Sequence, residues 1–425
     1  MQLDKQLRQS IVWRGFYYLS NLALNIILSR VLLASAFGSL FYFVNTFSLI
    51  VLIAGCSLEP AFTYFVASKK MEVSVASSVS LITTLVIIIP VYCTLHFLFV
   101  RNPFLGDDNI AQLGIVFIAG NILITYFTAL FYSLHHYKVP NLIAVIINIL
   151  TIGLVVYYQH SERIIAYIFF YSFVLQGVMI FIAFVFLNEI NPFKTRITAK
   201  DIQLLFRFSI TALSANLVFF LLYRIDYWFV QANCSSKELG NYIQASKMGQ
   251  LFLVIPQMLA AAIFPSTASG KMNMNLKISL LRLLRLFLQF LLLFFLLFLF
   301  FGNFFFTYLF GNDFNIANTA FLILLPGVFF LSALSLLSAY FGGNDKVSVN
   351  LKGALIGLAI VISGNVVLLH WYSIQVAATV STLGYLTTFL YAWFIFKKQM
   401  RFDKKEFVVF VFDDWVWLKN MIFNK

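Results

Sequence analysis

Five ionisable residues stand inside long apolar runs: Arg30, Glu59, Arg224, Asp226 and Lys247. A charge at the centre of a bilayer costs about 2.5–3.5 kcal/mol on the insertion scale, so such residues should face protein, water or headgroups. The three cations suit an anionic group. The two carboxylates suit a coupling proton or a small cation such as Na+, or an internal charge pair. A plainer reading applies to Arg30 and Arg224, close to one membrane boundary, and to Lys247, one to two turns inside its span: they snorkel to the interface or form local ion pairs. It fits Glu59 and Asp226 less well, because short side chains snorkel poorly. Arg224 and Asp226 are two positions apart, about 200° around a helix, so both cannot face one direction.

Uncharged polar residues follow the same helices. Arg14, Asn21 and Asn25 form one stripe, Asn216 and Tyr223 are seven apart, and Lys247 is followed by Gln250 and Gln257. Such stripes line a hydrated lumen or form hydrogen bonds between helices. Pro60, Pro256 and Pro265 are candidate hinges or fixed kinks, since a proline in a span frees a backbone carbonyl. No phosphate-cradling glycine loop, HExxH or Ser/His/Asp grouping is present, and Cys56, Cys93 and Cys234 form neither a CxxC nor a Cys/His cluster. No metal site, resident cofactor or catalytic residue is expected.

The elements that position these residues follow from composition. The chain has 425 residues, 61% hydrophobic and 11% charged, far from the roughly 25% charged of a soluble domain. Runs of about 20 apolar residues predict an all-α polytopic membrane protein of about 12 transmembrane helices. The spans include 11–33, 40–66, 205–231 and 242–266. Lys and Arg concentrate on alternate connections, while the opposite ones hold only Arg101, Arg163 and Lys237. By the positive-inside rule both termini are cytoplasmic, and the net charge of +13 implies no nucleic acid. The first span lacks a cleavage site and is expected to remain as a helix.

The connection near 191–204 predicts two bundles of six, 1–190 and 205–396, followed by a basic, aromatic tail, 397–425, on the anionic inner surface. RQSI at 8–11 and RFSI at 207–210, with Gly38 and Gly240, suggest an internal repeat. The expected architecture is two pseudo-symmetric six-helix bundles around a central cavity.

Several segments carry a family resemblance: Arg30 with Phe37-Gly38, Gly55 followed by AFTYFVAS (61–68), YRIDYWF (223–229), LGNYIQASKM (239–248) and PQMLAAAIFPS (256–266). Together they resemble Wzx-type polysaccharide flippases of the multidrug/oligosaccharidyl-lipid/polysaccharide exporter superfamily. The resemblance implies alternating access that moves an undecaprenyl diphosphate-linked oligosaccharide from the cytoplasmic to the periplasmic leaflet of the bacterial inner membrane, for O-antigen or related lipopolysaccharide synthesis. It also implies membrane lipids, a polysaccharide polymerase and chain-length machinery as partners. On that reading Arg30, Arg224, Lys247, Asn21, Asn25, Asn216 and Gln250 bind diphosphate or sugar, and Glu59 or Asp226 couples H+ or Na+. The alternatives are a cation-coupled multidrug exporter of the same superfamily and a membrane-embedded polymerase, ligase or glycosyltransferase. The enzyme reading is disfavoured because the longest outer connection, about 101–109, is too short for a catalytic loop.

Overall fold

The structure is a computed structural model that describes residues 2–98, 110–192, 195, 197–268, 274–400 and 414–415. The expected outer connection 101–109, Lys194, Arg196 and Lys271 of the basic connections expected on the cytoplasmic side, and the tail beyond 400 except Asp414 and Trp415 lie outside the described residues. Among the described residues there is no strand. In hydrocarbon a helix satisfies its own backbone groups, and runs this apolar have no other open structure available.

The chain divides into two compact units, Met1–Leu217 and Val218–Lys425. The division falls inside a helix. The first unit holds α1 (Gln2–Ala54), α2 (Leu58–Ala67), α3 (Val73–Leu98), α4 (Ile110–Ser133), α5 (Lys138–Tyr157), α6 (Glu162–Asn188) and most of α7 (Ala199–Arg224). The second holds the end of α7, then α8 (Asp226–Asn233), α9 (Ser236–Phe252), α10 (Val254–Ala268), α11 (Met274–Phe310), α12 (Ala317–Gly343), α13 (Val347–Val367) and α14 (Ile374–Met400).

Ten helical stretches among the described residues are long and apolar enough to cross a membrane. The expected twelve spans are recovered once two local features are counted. The stretch Gln9–Ala54 is 46 residues long and contains the first two spans, which meet at Leu33. The eighth span is cut into α9 and α10, each too short to count alone.

Leu33 turns the chain with φ 56° and ψ 179°, a conformation that costs a residue with a Cβ about 1–3 kcal/mol. Its side chain is 53% exposed, so little packing offsets that strain. Leu33→Gly is therefore expected to raise the thermal midpoint of the detergent-purified protein, with a gain of about 1 kcal/mol. A midpoint that falls would show that Leu33 contributes more by contact than it loses in strain.

The second span is also broken. Gly55 ends its first piece, Cys56 and Ser57 take left-handed φ of 49° and 47°, and α2 begins at Leu58. Pro60 is the third residue of α2, where a backbone N–H would have no acceptor within the helix, so the ring displaces no hydrogen bond. Pro256 is likewise the third residue of α10. Pro60 and Pro256 thus hold the same position in their helices, whereas Pro265 lies well inside α10. The helix break sits just before each early proline.

Small residues set the closest packing. An added Cβ on Gly120 in α4 would lie 2.5–2.6 Å from backbone atoms of Phe173 and Val174 in α6, and one on Gly177 would lie 2.6 Å from the carbonyl oxygen of Gly120. Two backbones thus meet where side chains elsewhere keep them apart.

Candidate functional site

In the second unit the sequence places Arg224 and Asp226 on either side of Ile225, where α7 ends and α8 begins. A continuous helix would point them apart. Ile225 keeps helical dihedrals (φ −64°, ψ −29°), so the two side chains leave on different sides and take separate partners, Gln250 for Arg224 and Tyr242 with Ser381 for Asp226. Arg224, at the last position of α7, donates from Nη2 to Gln250 Oε1 at 2.7 Å and from Nη1 to the Tyr227 hydroxyl at 3.1 Å. Its guanidinium carbon also lies 5.2 Å from the centre of the Tyr227 ring, within cation–π range. Gln250 in turn donates from Nε2 to Ser246 Oγ at 3.3 Å. Lys247 is within electrostatic reach of Arg224, and its three-residue spacing from Gln250 places both on one side of α9.

Arg224 and Gln250 are thus paired, and Lys247 lies one turn from Gln250 on α9. A cavity of about 20 Å³ lined by Tyr223, Ser246, Gln250 and Tyr385 adjoins them. It is large enough for about one water. The Arg224 guanidinium, with neutral donors around it, would attract an anion, because each hydrogen bond to a charged acceptor contributes about 1.5–3 kcal/mol.

Asp226 opens α8 and is 1% exposed. Its Oδ2 accepts from the Tyr242 hydroxyl of α9 and from Ser381 Oγ of α14, the latter at 2.7 Å. Among the described residues its buried Oδ1 has no hydrogen-bond donor in good geometry. Oxygen-rich surroundings with one unsatisfied carboxylate oxygen suit a proton or a hard cation. Tyr242 and Ser381 were not singled out from the sequence. Each is an ordinary polar residue in an apolar helix, and only the fold brings it to the carboxylate.

In the first unit, Glu59 is the second residue of α2 and half-buried, at a helix N-terminus that favours negative charge. Tyr126 is within its electrostatic reach and donates its hydroxyl to the carbonyl oxygen of Gly55 at 2.6 Å, satisfying one of the acceptors freed by the helix break. Asn216 Nδ2 donates to Ser57 Oγ at 3.2 Å, so this asparagine braces the same break. Asn21 follows the plainer reading: its Oδ1 accepts from Asn148 Nδ2 of α5 at 3.1 Å. Asn25 is half-buried on α1, and Arg30 is exposed three residues before the Leu33 corner. Arg14, in the same stripe, lies 4.6 Å from the centre of the Tyr132 ring. The first-unit residues thus form two groups, the α1 stripe and the Gly55–Glu59 break.

Cys234, at the end of α8, is a free thiol whose pKa is pushed up to about 11 by burial and then by the nearby Glu238. At neutral pH it remains protonated and is a poor nucleophile.

No protein-family model matches the chain, and no curated protein matches it. The chain is similar to a solved structure of the lipid II flippase MurJ in an inward closed conformation, with TM-score 0.76 and 14% identity, covering 98% of this chain and 93% of that one. It is similar to an inward-facing multidrug resistance MATE family transporter of the MOP superfamily, with TM-score 0.68 and 16% identity, covering 92% and 98%. A third similar structure is the eukaryotic MATE transporter AtDTX14, with TM-score 0.60 and 16% identity, covering 95% and 98%. At these identities the likeness establishes the fold: that of flippases and multidrug transporters.

Proposed function

We propose that the protein is a flippase for a lipid with an anionic diphosphate headgroup, and that its cargo is an undecaprenyl diphosphate-linked oligosaccharide used in surface polysaccharide synthesis. The observation that carries this reading is the Arg224 guanidinium held by Gln250 inside an apolar span. A polar sugar diphosphate cannot cross hydrocarbon unaided, whereas its prenyl chain can remain in lipid. The protein then has to supply a hydrated path that opens to one face at a time. Arg224 and Lys247 hold the diphosphate through charge-assisted hydrogen bonds, and Gln250 keeps the Arg224 guanidinium oriented. Asp226 carries the coupling proton or Na+, whose binding favours one of two conformations. The fold shared with the lipid II flippase supports the reading.

A second reading, a cation-coupled multidrug exporter, draws on the same fold in the MATE transporters. Cationic drugs would require an accessible anion. Asp226 instead has one oxygen engaged by two hydroxyls and is almost fully buried.

Reconstitution separates the two. Proteoliposomes loaded with a fluorescent oligosaccharide-diphosphate lipid are expected to show its transfer between leaflets, with no accumulation of ethidium under a proton or Na+ gradient. In the same vesicles Arg224→Gln is expected to weaken capture of the diphosphate lipid about tenfold. Ethidium transport without lipid transfer would reverse the assignment.

A further inference from the structure

In the first unit two helices end and a third begins around one cavity. α2 and α4 each finish in a turn with a residue of left-handed φ, Lys69 at 57° and His135 at 62°. In the first turn the Lys70 N–H returns to the Phe65 carbonyl oxygen at 2.9 Å, and in the second the His136 N–H returns to that of Phe131 at 2.9 Å. Such turns close a helix by satisfying its last carbonyls. After the first turn the chain enters α3 at Val73. Both turns line a cavity of about 680 Å³, inside the range of about 300–1,000 Å³ typical of ligand sites. Its wall includes Lys69, Lys70, Glu72, Val73, Ser133 and His135.

Opposite charges line this cavity without pairing with each other. Lys70 Nζ lies 3.4 Å from the Tyr64 hydroxyl and 5.4 Å from the centre of that ring. The Glu72 carboxylate accepts from Ser74 Oγ at 3.2 Å, and His135 Nδ1 lies 3.4 Å from the Tyr137 hydroxyl. Among the described residues the Lys69 side chain makes no hydrogen bond or ion pair. Lys69, Lys70 and Glu72 are all exposed. The start of α3 adds partial positive charge beside the lysines, whereas the carbonyl ends of α2 and α4 add partial negative charge. A ligand of one sign would meet repulsion from part of this wall, and a zwitterion would not. The depth of the cavity follows from the spans. The membrane-length stretches Val73–Phe97 and Ile110–Ser133 each have an end in its wall, which places it at the level of lipid headgroups.

We propose that this cavity holds the headgroup of a phosphatidylethanolamine-type lipid, with its phosphate at Lys69 and Lys70 and its primary ammonium at Glu72. A primary ammonium offers the carboxylate three N–H donors, and the trimethylammonium of a choline headgroup offers none. The cavity shares no residue with the Arg224 group, and the proposal does not depend on what the protein transports.

The test is native mass spectrometry of the full chain in detergent with equimolar phosphatidylethanolamine, phosphatidylcholine and phosphatidylglycerol of identical acyl chains. The parent protein is expected to retain one phosphatidylethanolamine about fivefold more often than phosphatidylcholine, the preference that one exposed ion pair supports. Glu72→Gln should retain the two equally, while Glu72→Asp should keep the preference. Lys69→Gln combined with Lys70→Gln should lower retention of both lipids about fivefold, since both carry the phosphate. Equal retention of the two by the parent, or a preference that survives Glu72→Gln, would overturn the proposal. Stronger retention of phosphatidylglycerol than of phosphatidylethanolamine would overturn it as well, by assigning the cavity to an anion. Displacement of the lipid by equimolar free phosphoethanolamine would overturn the lipid source and assign the cavity to a soluble compound. These side chains are exposed, so the variants should elute from size exclusion with the parent; should the double lysine variant fail to, the two Glu72 variants decide the matter.

Discussion

Gly120→Leu is expected to destabilise the protein by about 3 kcal/mol or more and to leave little folded material in the membrane. The side chain it introduces would meet backbone atoms of α6 at 2.5–2.6 Å. A clash with the tip of a flexible side chain can be relieved by a rotamer change, but a clash with backbone requires moving a helix. In a bilayer the loss is felt in full, because lipid chains offer no hydrophobic drive to hold two separated helices together. Gly177→Leu should behave similarly, since its added Cβ would strike the carbonyl oxygen of Gly120. Gly153→Ala supplies the control: a Cβ there meets nothing within 4 Å, and the gain in helix propensity makes the change neutral or stabilising by up to about 1 kcal/mol. Fluorescence-detected size exclusion after stepwise heating compares the three. A Gly120→Leu midpoint equal to that of the parent would mean that α4 and α6 do not pack through these glycines.

The largest expected functional effect belongs to Asp226→Asn. The substitution keeps the shape of the side chain and one oxygen for the Tyr242 and Ser381 hydroxyls, while removing the charge. If Asp226 carries the coupling ion, the gradient no longer biases the two conformations. Gradient-driven transport should then fall about 10- to 100-fold, the size of a typical coupling free energy. Exchange of substrate without a gradient should change much less. Asp226→Ala is a poorer probe, because it strands two buried hydroxyls at about 1–3 kcal/mol each and confuses folding with function. Measuring initial rates with a pH gradient and with a Na+ gradient also identifies the ion. A rate for Asp226→Asn that matches the parent under both gradients would remove this residue from the coupling step.

The sequence revealed the number and order of spans because each depends on a local property, apolar length between polar connections. Helix interruptions were less visible. Leu33 carries no turn residue in its own identity, yet the helix kinks there without a loop. Pro60 and Pro256 signalled irregular helices, but proline at a helix start and proline at a kink read alike until the start is known. The same limit applied to the polar residues. Spacing alone places Arg224 and Asp226 on different faces, and the helical dihedrals of Ile225 keep them there, but spacing does not say which neighbours each face meets. The association of Arg224 with Gln250 and of Asp226 with Ser381 spans 26 and 155 residues of sequence. No periodicity within one helix carries that information.

The interruption at Gly55–Ser57 has a mechanical consequence. An intact α-helix resists bending because several successive backbone bonds must stretch together. At this position the ladder is already open, and the Gly55 carbonyl is held by the Tyr126 hydroxyl. A single neutral hydrogen bond of this kind is worth about 0.5–1.5 kcal/mol net. Tyr126 therefore acts as a second clasp on a pre-cut rod, beside the Leu58 N–H that donates to the same carbonyl at 3.1 Å, and Tyr126→Phe would soften the break without altering the span's length or its apolar surface.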